Sequence, residues 1–279
     1  MQLQSGHKTL DLNSAQVMGI LNVTPDSFSD GGHFSEIDSA LQQATKMVEQ
    51  GATIIDIGGE STRPGAADVA TQQELDRVLP IIEKISASLD CWISIDTSKA
   101  LVMTEAVKAG ANLINDVRAL QEQGALEAAV AAQVPVCLMH MQGAPRSMQT
   151  APHYENLLLD VETFLLTRAE ACINAGIKKD NIILDLGFGF GKQLQHNFEL
   201  LAATKQFVKL GYPLLTGVSR KSMFGQLLNR DINGRLAGSL AGALIAIQQG
   251  SQIIRVHDVA ETVDIIKVLQ QVNSFNVQQ

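Results

Sequence analysis

Eight short runs of aliphatic and β-branched residues recur along the chain, and longer amphipathic patterns typical of helices separate them. The runs occupy residues 17–22, 53–58, 91–96, 112–116, 136–140, 182–187, 214–219 and 252–257. Strands that alternate with helices in this way predict right-handed crossovers and a parallel sheet. Eight such units within 279 residues close into a barrel more naturally than they form an open sheet. We therefore predict the α/β class and a single-domain (β/α)8 TIM barrel over residues 1–279, in which residues 1–16 precede the first barrel strand.

The composition is that of an ordinary folded protein. Apolar residues make up 46% of the chain and charged residues 18%, and no linker or low-complexity segment interrupts it. A net charge of −8 argues against nonspecific binding of nucleic acid. Any anion-binding site must therefore be built locally, from a few basic side chains.

Cysteine usage and hydropathy bear on the compartment. Cys91, Cys137 and Cys172 are odd in number and far apart, so we expect buried thiols in a reducing, cytoplasmic environment. The N-terminal segment is polar and lacks the apolar core of a signal peptide. The longest apolar stretch, 236–247, is too short to span a bilayer. We expect no contact with a membrane.

Each predicted strand ends in or near a side chain able to do chemistry. These residues are Asn22, Asp56, Asp96, Asn115, His140, Asp185, Ser219, Arg255 and His257. In a barrel of this type the carboxyl ends of the strands converge on one mouth, where active sites lie. Asp, Asn and Ser also cap helices, so some of them could serve that purpose alone. The repetition on every strand favours a functional mouth.

Arg255 and His257 are two residues apart on the last predicted strand, so their side chains point to the same face. A guanidinium beside an imidazole suits a phosphate-type anion. The alternative is that Arg255 pairs with one of the carboxylates at the mouth, and both can hold.

Two predicted βα loops are unusually long. They span 23–37 and 58–69, whereas such connections commonly have about two to six residues. Both contain glycine and ionic side chains, among them Asp30 and Arg63. Long loops at a barrel mouth are often lids or binding loops. Directly after the second loop, Thr71 and Glu74 have the spacing of a capping box at a helix start.

The segment DLGFGFGK at 185–192 looks like a phosphate loop but does not match one. A Walker A loop has Ser or Thr after its lysine, whereas Gln193 follows Lys192 here. We expect instead that the glycines bring backbone close to a flat ligand, with Phe188 or Phe190 packed against it.

These segments carry a family resemblance. GILNVTPDSFSDGG, DIGGESTRPGA, SIDTSK, INDV, MHMQGAP, DLGFGFGK, SRKS and RVHDV occur in that order, and together they resemble the bacterial dihydropteroate synthases. One departure is Leu186, where the family commonly has proline. The resemblance implies a transferase of folate biosynthesis and sulfonamide target that joins 6-hydroxymethyl-7,8-dihydropterin diphosphate to 4-aminobenzoate and releases diphosphate. It also implies Mg2+ as cofactor and a homodimer in the cytoplasm.

The resemblance also implies roles for individual residues. The pterin would be bound by Asp96, Asn115, Met139, Asp185, Phe190, Lys221 and Arg255. The diphosphate would be bound by Asn22, Thr62, Arg63, Arg255 and His257, and Asn22 would also be the ligand of Mg2+. Aminobenzoate would lie among Phe28, Arg63, Pro64, Ser219 and Lys221. The catalytic residues would be Asp30, Asp96, Lys221 and Arg255, with both aspartates stabilising positive charge on a dissociative path.

Other functions remain possible on the sequence alone. A methyltetrahydrofolate-binding barrel of a corrinoid-dependent methyltransferase would explain Asp96, Asn115 and Asp185, but not the STRPGA loop together with Arg255 and His257. A noncatalytic pterin-binding module would need the pocket but not two ionic loops. A phosphate-binding barrel isomerase would not need the pterin-edge residues. The small-residue helix within 234–247 could contact a second subunit or pack tightly on the barrel.

Overall fold

The computed structural model describes residues 1–23, 33–61, 68–143 and 152–276. A closed barrel of eight parallel strands forms its centre. The barrel strands are β3 (Gln16–Asn22), β4 (Ile54–Gly58), β5 (Trp92–Asp96), β6 (Leu113–Asp116), β7 (Val136–Met139), β8 (Ile182–Asp185), β9 (Leu214–Thr216) and β10 (Ile253–Val256). Around the barrel they follow the order β10-β3-β4-β5-β6-β7-β8-β9. All eight coincide with the predicted runs, so the predicted (β/α)8 TIM barrel is confirmed.

Helices flank the barrel. They are α1 (His33–Glu49), α2 (Thr71–Ser88), α3 (Ala100–Ala109), α4 (Ala125–Ala132), α5 (Leu157–Ala175), α6 (Leu194–Ala202), α7 (Thr204–Val208), α8 (Ser222–Leu228), α9 (Leu236–Gln248) and α10 (Val259–Asn276). None of the helices in the described ranges is long and apolar enough to cross a membrane.

Alternation along the strands divides the buried side chains between two cores. Val17, Leu21, Ile55 and Ile57, for example, face outward and pack with the helices in one large cluster. The residues between them face the barrel axis. At the amino end of the barrel, this inner layer consists of Met18, Ile54, Trp92, Leu113, Cys137, Ile183, Leu215 and Ile253.

A hairpin closes the amino end of the barrel. Its strands are β1 (Gln2–Ser5) and β2 (Lys8–Asp11), which pair in antiparallel fashion. Leu3, Leu10 and Leu12 join the inner layer just described and shield it from water. The sequence did not predict these strands, because each is four residues long and buries only alternate side chains. The polar mouth at the carboxyl end therefore lies opposite a sealed, apolar end.

The predicted capping box is wrong. Helix α2 begins at Thr71 itself, Ala70 is its N-cap, and the Ala70 amide donates to Gln73 Oε1 at 3.3 Å. Glu74 is fully buried rather than folded back on the cap, because Lys99 from the next βα unit binds its carboxylate. A long-range ion pair thus replaces the local one.

The small-residue helix packs within the subunit. A Cβ on Gly242 of α9 would lie 2.6 Å from Phe224 Cζ, and one on Gly238 would lie 2.9 Å from Phe224 Cβ. Glycine is therefore needed on this face so that α9 can approach α8. The opposite side of α9 leaves Ile245 exposed.

Candidate active site

The strand periodicity brings most of the predicted site residues to one place. Asp56, Asn115, Asp185 and Arg255 each follow, by two positions, an inward-facing residue of the apolar layer, so they also face the barrel axis. Asn115, Asp185 and Arg255 lie in the carboxyl half of their strands, and Asp56 is the central residue of β4. The second layer of the barrel is therefore polar, and it forms the floor of the mouth.

His140 is an exception among the strand-end residues. It follows the outward-facing Leu138 by two positions, and its ring packs edge-on against Phe164 of α5 at 5.0 Å. Asp116 also points outward, where it accepts hydrogen bonds from the Arg118 and Leu120 amides at 2.8 and 2.7 Å. Both side chains therefore point toward the helical shell of the barrel and not toward its axis.

Arg255 is the electrostatic centre of the mouth. Its Nε donates to Asp56 Oδ2 at 2.6 Å, and its Nη2 donates to Asp96 Oδ2 at 2.7 Å. Burial opposes the charged guanidinium, but the two carboxylates outweigh it and raise the pKa of Arg255. The alternative raised for Arg255, pairing with a mouth carboxylate, therefore holds twice over. Asp56, which carried no predicted role, is the partner that fixes the arginine.

Asp96 has an unusual titration. Burial raises the pKa of its carboxyl to about 7, with Asp56 acting in the same direction and Arg255 against it. Its Oδ2 and the Asn22 Oδ1 each lie 3.8 Å from where a Cβ on Gly58 would stand. A methyl group on Gly58 would therefore be in van der Waals contact with both oxygens, which lie on the same side of this residue.

Asn115 and Asp185 provide complementary polar groups. Asn115 Nδ2 donates to Asp56 Oδ2 at 3.3 Å, which orients its amide. Asp185 is 7% exposed and accepts the Gly187 amide on Oδ1 at 2.8 Å. Burial raises the pKa of this carboxyl, although Gly187, Lys221 and Arg255 lower it. Met139, buried at the end of β7, is the residue paired with Asp185 across the strands.

Lys221 and Phe190 meet across two loops. The Lys221 Nζ lies over the Phe190 ring, 4.3 Å from its centroid. Burial and the nearby Arg255 lower the pKa of Lys221 to about 8, while Asp185 opposes that shift. Phe188 is 1% exposed and belongs to the outer core, so of the two phenylalanines only Phe190 is placed at the mouth.

His257 and Ser219 form a hydrogen-bonded pair beside Arg255. Ser219 Oγ lies 3.0 Å from His257 Nδ1 and also accepts the His257 amide at 3.2 Å. Burial lowers the pKa of His257 to about 4, and Arg255 adds to this shift. The imidazole is therefore neutral at pH 7, and it can act on an anion as a hydrogen-bond donor rather than as a charge.

A second ionic cluster lies at the base of the loop after β4. Lys99 Nζ contacts the carboxylates of both Glu60 and Glu74. Glu60 also accepts the Val69 amide at 3.1 Å, so it joins the two ends of the segment 62–67. Burial opposes the charge on Lys99, but these carboxylates raise its pKa. The sequence offered no signal for this cluster beyond the polarity of its members.

Five predicted site residues fall outside the described ranges. They are Phe28 and Asp30 in the first long loop and Thr62, Arg63 and Pro64 in the second. Their assignments stay predictions.

The site can bind a flat, polar heterocycle next to an anion. Carboxylates and amides accept and donate along a ring edge, Lys221 and Arg255 supply positive charge, and His257 and Ser219 lie beyond them. Perturbed pKa values on Asp96, Asp185 and Lys221 are typical of functional sites.

Comparison with known proteins agrees with this geometry. The family described as "Pterin binding enzyme" matches residues 18–257. The dihydropteroate synthase of Haemophilus influenzae is 58% identical over 97% of this chain and 98% of its own length. A Yersinia pestis dihydropteroate synthase, solved in complex with a sulfonamide drug, superposes with a TM-score of 0.94 at 56% identity and covers 98% of this chain and 100% of its own. A Xanthomonas albilineans dihydropteroate synthase with 4-aminobenzoic acid gives a TM-score of 0.92 at 46% identity, over 98% of each chain.

Proposed function

Because this chain belongs to the pterin binding enzyme family, we propose that its barrel mouth carries out the reaction of its dihydropteroate synthase relatives. It is a transferase that joins 6-hydroxymethyl-7,8-dihydropterin diphosphate to 4-aminobenzoate and releases diphosphate. The observation that carries this proposal is the array of Asp96, Asn115, Asp185 and Lys221 around the doubly paired Arg255.

A release assay tests the proposed function directly. Purified protein should liberate diphosphate only when pterin diphosphate, Mg2+ and aminobenzoate are all present. A corrinoid-dependent methyltransferase would instead need cobalamin and methyltetrahydrofolate. A noncatalytic module would bind pterin in a calorimeter and release nothing, and that result would overturn the proposal.

The pterin edge is matched by buried acceptors. The 2-amino and N3 groups of a pterin present two parallel donors, which a carboxylate accepts through both oxygens. Asp185 is the residue for this role, since its Oδ1 is already oriented by Gly187. Asn115 and Asp96 serve the remaining ring nitrogens, and Lys221 serves the pterin carbonyl and N5. Phe190 and Met139 supply apolar lining.

We assign the diphosphate to the basic and polar side chains that lie beyond the proposed position of the pterin ring. Arg255 and His257 would bind its oxygens, together with Asn22 and the loop residues Thr62 and Arg63. Mg2+ is commonly held in such sites by one or two protein oxygens plus phosphate oxygens and water. Asn22 Oδ1, which lies on the same side of Gly58 as Asp96 Oδ2, can supply one such protein oxygen. Among the described residues, no group of three or more His, Cys, Asp or Glu could hold a metal without the substrate. When bound, Mg2+ would neutralise charge on the departing diphosphate.

The reaction follows from where the charges lie. The bond between the pterin methylene and the diphosphate oxygen breaks, and its electron pair leaves with the diphosphate that Arg255 and His257 bind. The methylene left behind is a cation conjugated with the pterin ring, and Asp96, with Asp30 of the first loop, would stabilise it. The neutral aniline nitrogen of aminobenzoate then attacks the methylene carbon, and the resulting anilinium loses its proton to water.

Replacing His257 by alanine should weaken diphosphate binding about two- to thirteenfold, because a neutral hydrogen bond contributes about 0.5–1.5 kcal/mol. Affinity for hydroxymethyl pterin without diphosphate should change much less. Isothermal titration of both ligands measures the difference. Equal losses for the two ligands would assign His257 to the ring or to the fold.

A sulfonamide should compete with aminobenzoate, since its sulfonyl group and aryl amine span a similar shape. It should bind well only after diphosphate or pterin diphosphate has bound and organised the loops at the mouth. The segment 219–222 leads into α8, whose free amides suit a carboxylate or a sulfonyl oxygen. Steady-state inhibition at saturating pterin diphosphate, with aminobenzoate varied, measures the pattern. Tight sulfonamide binding to the empty protein, or noncompetitive inhibition, would argue against this placement of the second substrate.

We further propose a homodimer in the cytoplasm. Large apolar side chains remain exposed on α8, α9, α10 and the segment after α8, namely Leu227, Leu228, Ile232, Ile245, Val268, Val272 and Phe275. A second subunit would cover them. All three cysteines are buried free thiols, in keeping with a reducing compartment.

A further inference from the structure

A buried ammonium lies under the glycine-rich loop that follows β8. Lys192 is 3% exposed, and its Nζ donates to the carbonyl oxygens of Gly187 at 2.9 Å, Phe190 at 3.1 Å and His140 at 3.3 Å. It also lies 3.0 Å from His140 Nδ1. In the part of the chain that the structure describes, Lys192 forms no salt bridge with a carboxylate. An ammonium buried among carbonyls is costly, so its place here needs an explanation.

The protonation of His140 agrees with this arrangement. Burial and the neighbouring Lys192 lower the pKa of His140 to about 3, so the ring is neutral at pH 7. Its Nδ1 can then accept from the ammonium. Burial lowers the pKa of Lys192 to about 7, and the charge of Asp185 opposes that shift, so the ammonium is the main form below pH 7.

The loop needs such a donor because its backbone is folded tightly against the segment after β7. Gly187 has a φ of +67°, and a Cβ on it would lie 1.8 Å from the His140 carbonyl oxygen. Gly191 has a φ of +62°, and a Cβ there would lie 2.4 Å from the Gln142 carbonyl oxygen. This packing turns several carbonyl groups toward the same buried point. Without Lys192, the His140 and Phe190 oxygens would lose this donor, and the Gly187 oxygen would keep only the Phe190 amide at 3.0 Å.

Two pterin-binding groups depend on the same loop. The Gly187 amide donates to Asp185 Oδ1 at 2.8 Å. The Lys221 ammonium lies over the Phe190 ring, 4.3 Å from its centroid. Lys192 binds the carbonyl groups of both loop residues, Gly187 and Phe190. A shift of the loop at Gly187 would therefore displace the Asp185 carboxylate, and a shift at Phe190 would displace the ring that contacts Lys221.

We propose that Lys192 is a positioning residue for the pterin site, whose ammonium fixes the Gly187 and Phe190 peptide groups and through them Asp185 and the Phe190 ring. This inference rests on the proposed function. It differs from a phosphate-binding role for the lysine, because the ammonium is directed at the protein backbone and is occupied by it.

The first test compares Lys192→Met with Lys209→Met. Methionine keeps most of the aliphatic volume and removes the charge, and Lys209 is an exposed lysine that serves as the matched control. For Lys192→Met we expect the Kd for pterin diphosphate to rise about tenfold or more, with the KM for aminobenzoate within about twofold. Lys209→Met should leave both constants within about twofold of wild type. Circular dichroism at the assay temperature establishes that each variant is folded.

Chemical rescue supplies a readout that a merely structural lysine would not give. Lys192 lines an open cavity of about 370 Å³ together with Gln193, Asn197, Ser222 and Gln226, and we expect a small amine to enter from this side into the space left by Lys192→Ala. Propylamine should restore pterin affinity to Lys192→Ala, whereas propanol at the same concentration should not. Hydrogen exchange of the Gly187 and Phe190 amides should slow again with propylamine.

The outcomes separate two failures. If wild type neither binds pterin nor releases diphosphate, the proposed function fails. If wild type does both and Lys192→Met lowers only the melting temperature while its pterin affinity stays within about twofold, the positioning role is overturned. Equal rescue by propanol would likewise overturn it, because a neutral molecule with a single hydrogen-bond donor would then replace the ammonium.

Discussion

Replacing Asp185 by asparagine should remove pterin binding while the barrel stays folded. The substitution is nearly isosteric, but it turns one acceptor into a donor that faces a donor of the pterin edge. The side chain is only 7% exposed, so water cannot relieve the mismatch. A buried, unmatched pair costs about 1–3 kcal/mol, and loss of the charged acceptor adds to this. We expect the Kd for pterin to rise at least about a hundredfold.

The control for this prediction is Asp180→Asn. Asp180 is an exposed aspartate in the short turn that leads into β8, so it reports any general effect of losing a carboxylate there. Titration calorimetry gives both affinities, and thermal unfolding gives both stabilities. Wild-type pterin affinity in Asp185→Asn would show that another residue accepts the pterin edge.

Replacing Arg255 by methionine should cost both stability and activity. The guanidinium binds Asp56 and Asp96, whose side chains are 0% and 10% exposed, so its loss leaves two buried carboxyl groups without the cation that hydrogen-bonds to both. Breaking a buried pair in this way costs about 3–5 kcal/mol. Diphosphate binding should disappear as well. Urea unfolding at pH 7 measures the first effect and calorimetry with diphosphate the second.

The stability loss in Arg255→Met should depend on pH with a defined sign. Burial already raises the pKa of Asp96 to about 7 in the presence of the arginine, and removing that lowering influence raises the pKa further. A folded-state pKa above the unfolded value means that the folded protein binds more protons. Stability should therefore recover as the pH falls from about 8 to about 5. A deficit that grows on acidification would contradict this account.

Two further variants locate the cause of the Arg255 effect. Arg255→Met combined with Asp96→Asn should regain part of the lost stability at pH 7, because two buried carboxyl groups no longer oppose each other's ionisation. Arg118→Met is the matched control, since Arg118 pairs with Glu122 on the surface at 2.6 Å. Exposed pairs contribute about 0–1 kcal/mol, so that variant should unfold close to wild type.

The sequence by itself determined the barrel and most of its mouth. Eight apolar runs with helical patterns between them allow few topologies, and the polar residues at their ends meet because the strands are parallel. Because side chains alternate along a strand, every second residue of each run points to the same side, inward or outward. This alternation places Asp185 and Arg255 inward and His140 outward with Leu138, so the outward position of His140 was available from the sequence.

Only the tertiary structure decided which of these side chains pair. Arg255 meets Asp56 and Asp96 across 199 and 159 residues of chain, and Lys99 meets Glu74 in place of the local capping box. Closure of the barrel places the last strand beside the first, and no local pattern records that contact. Lys192 is a similar case, because its ammonium binds backbone carbonyls whose direction depends on how the loop packs. Periodicity is local and can be read along the chain, whereas these pairings depend on which groups the closed barrel leaves buried together.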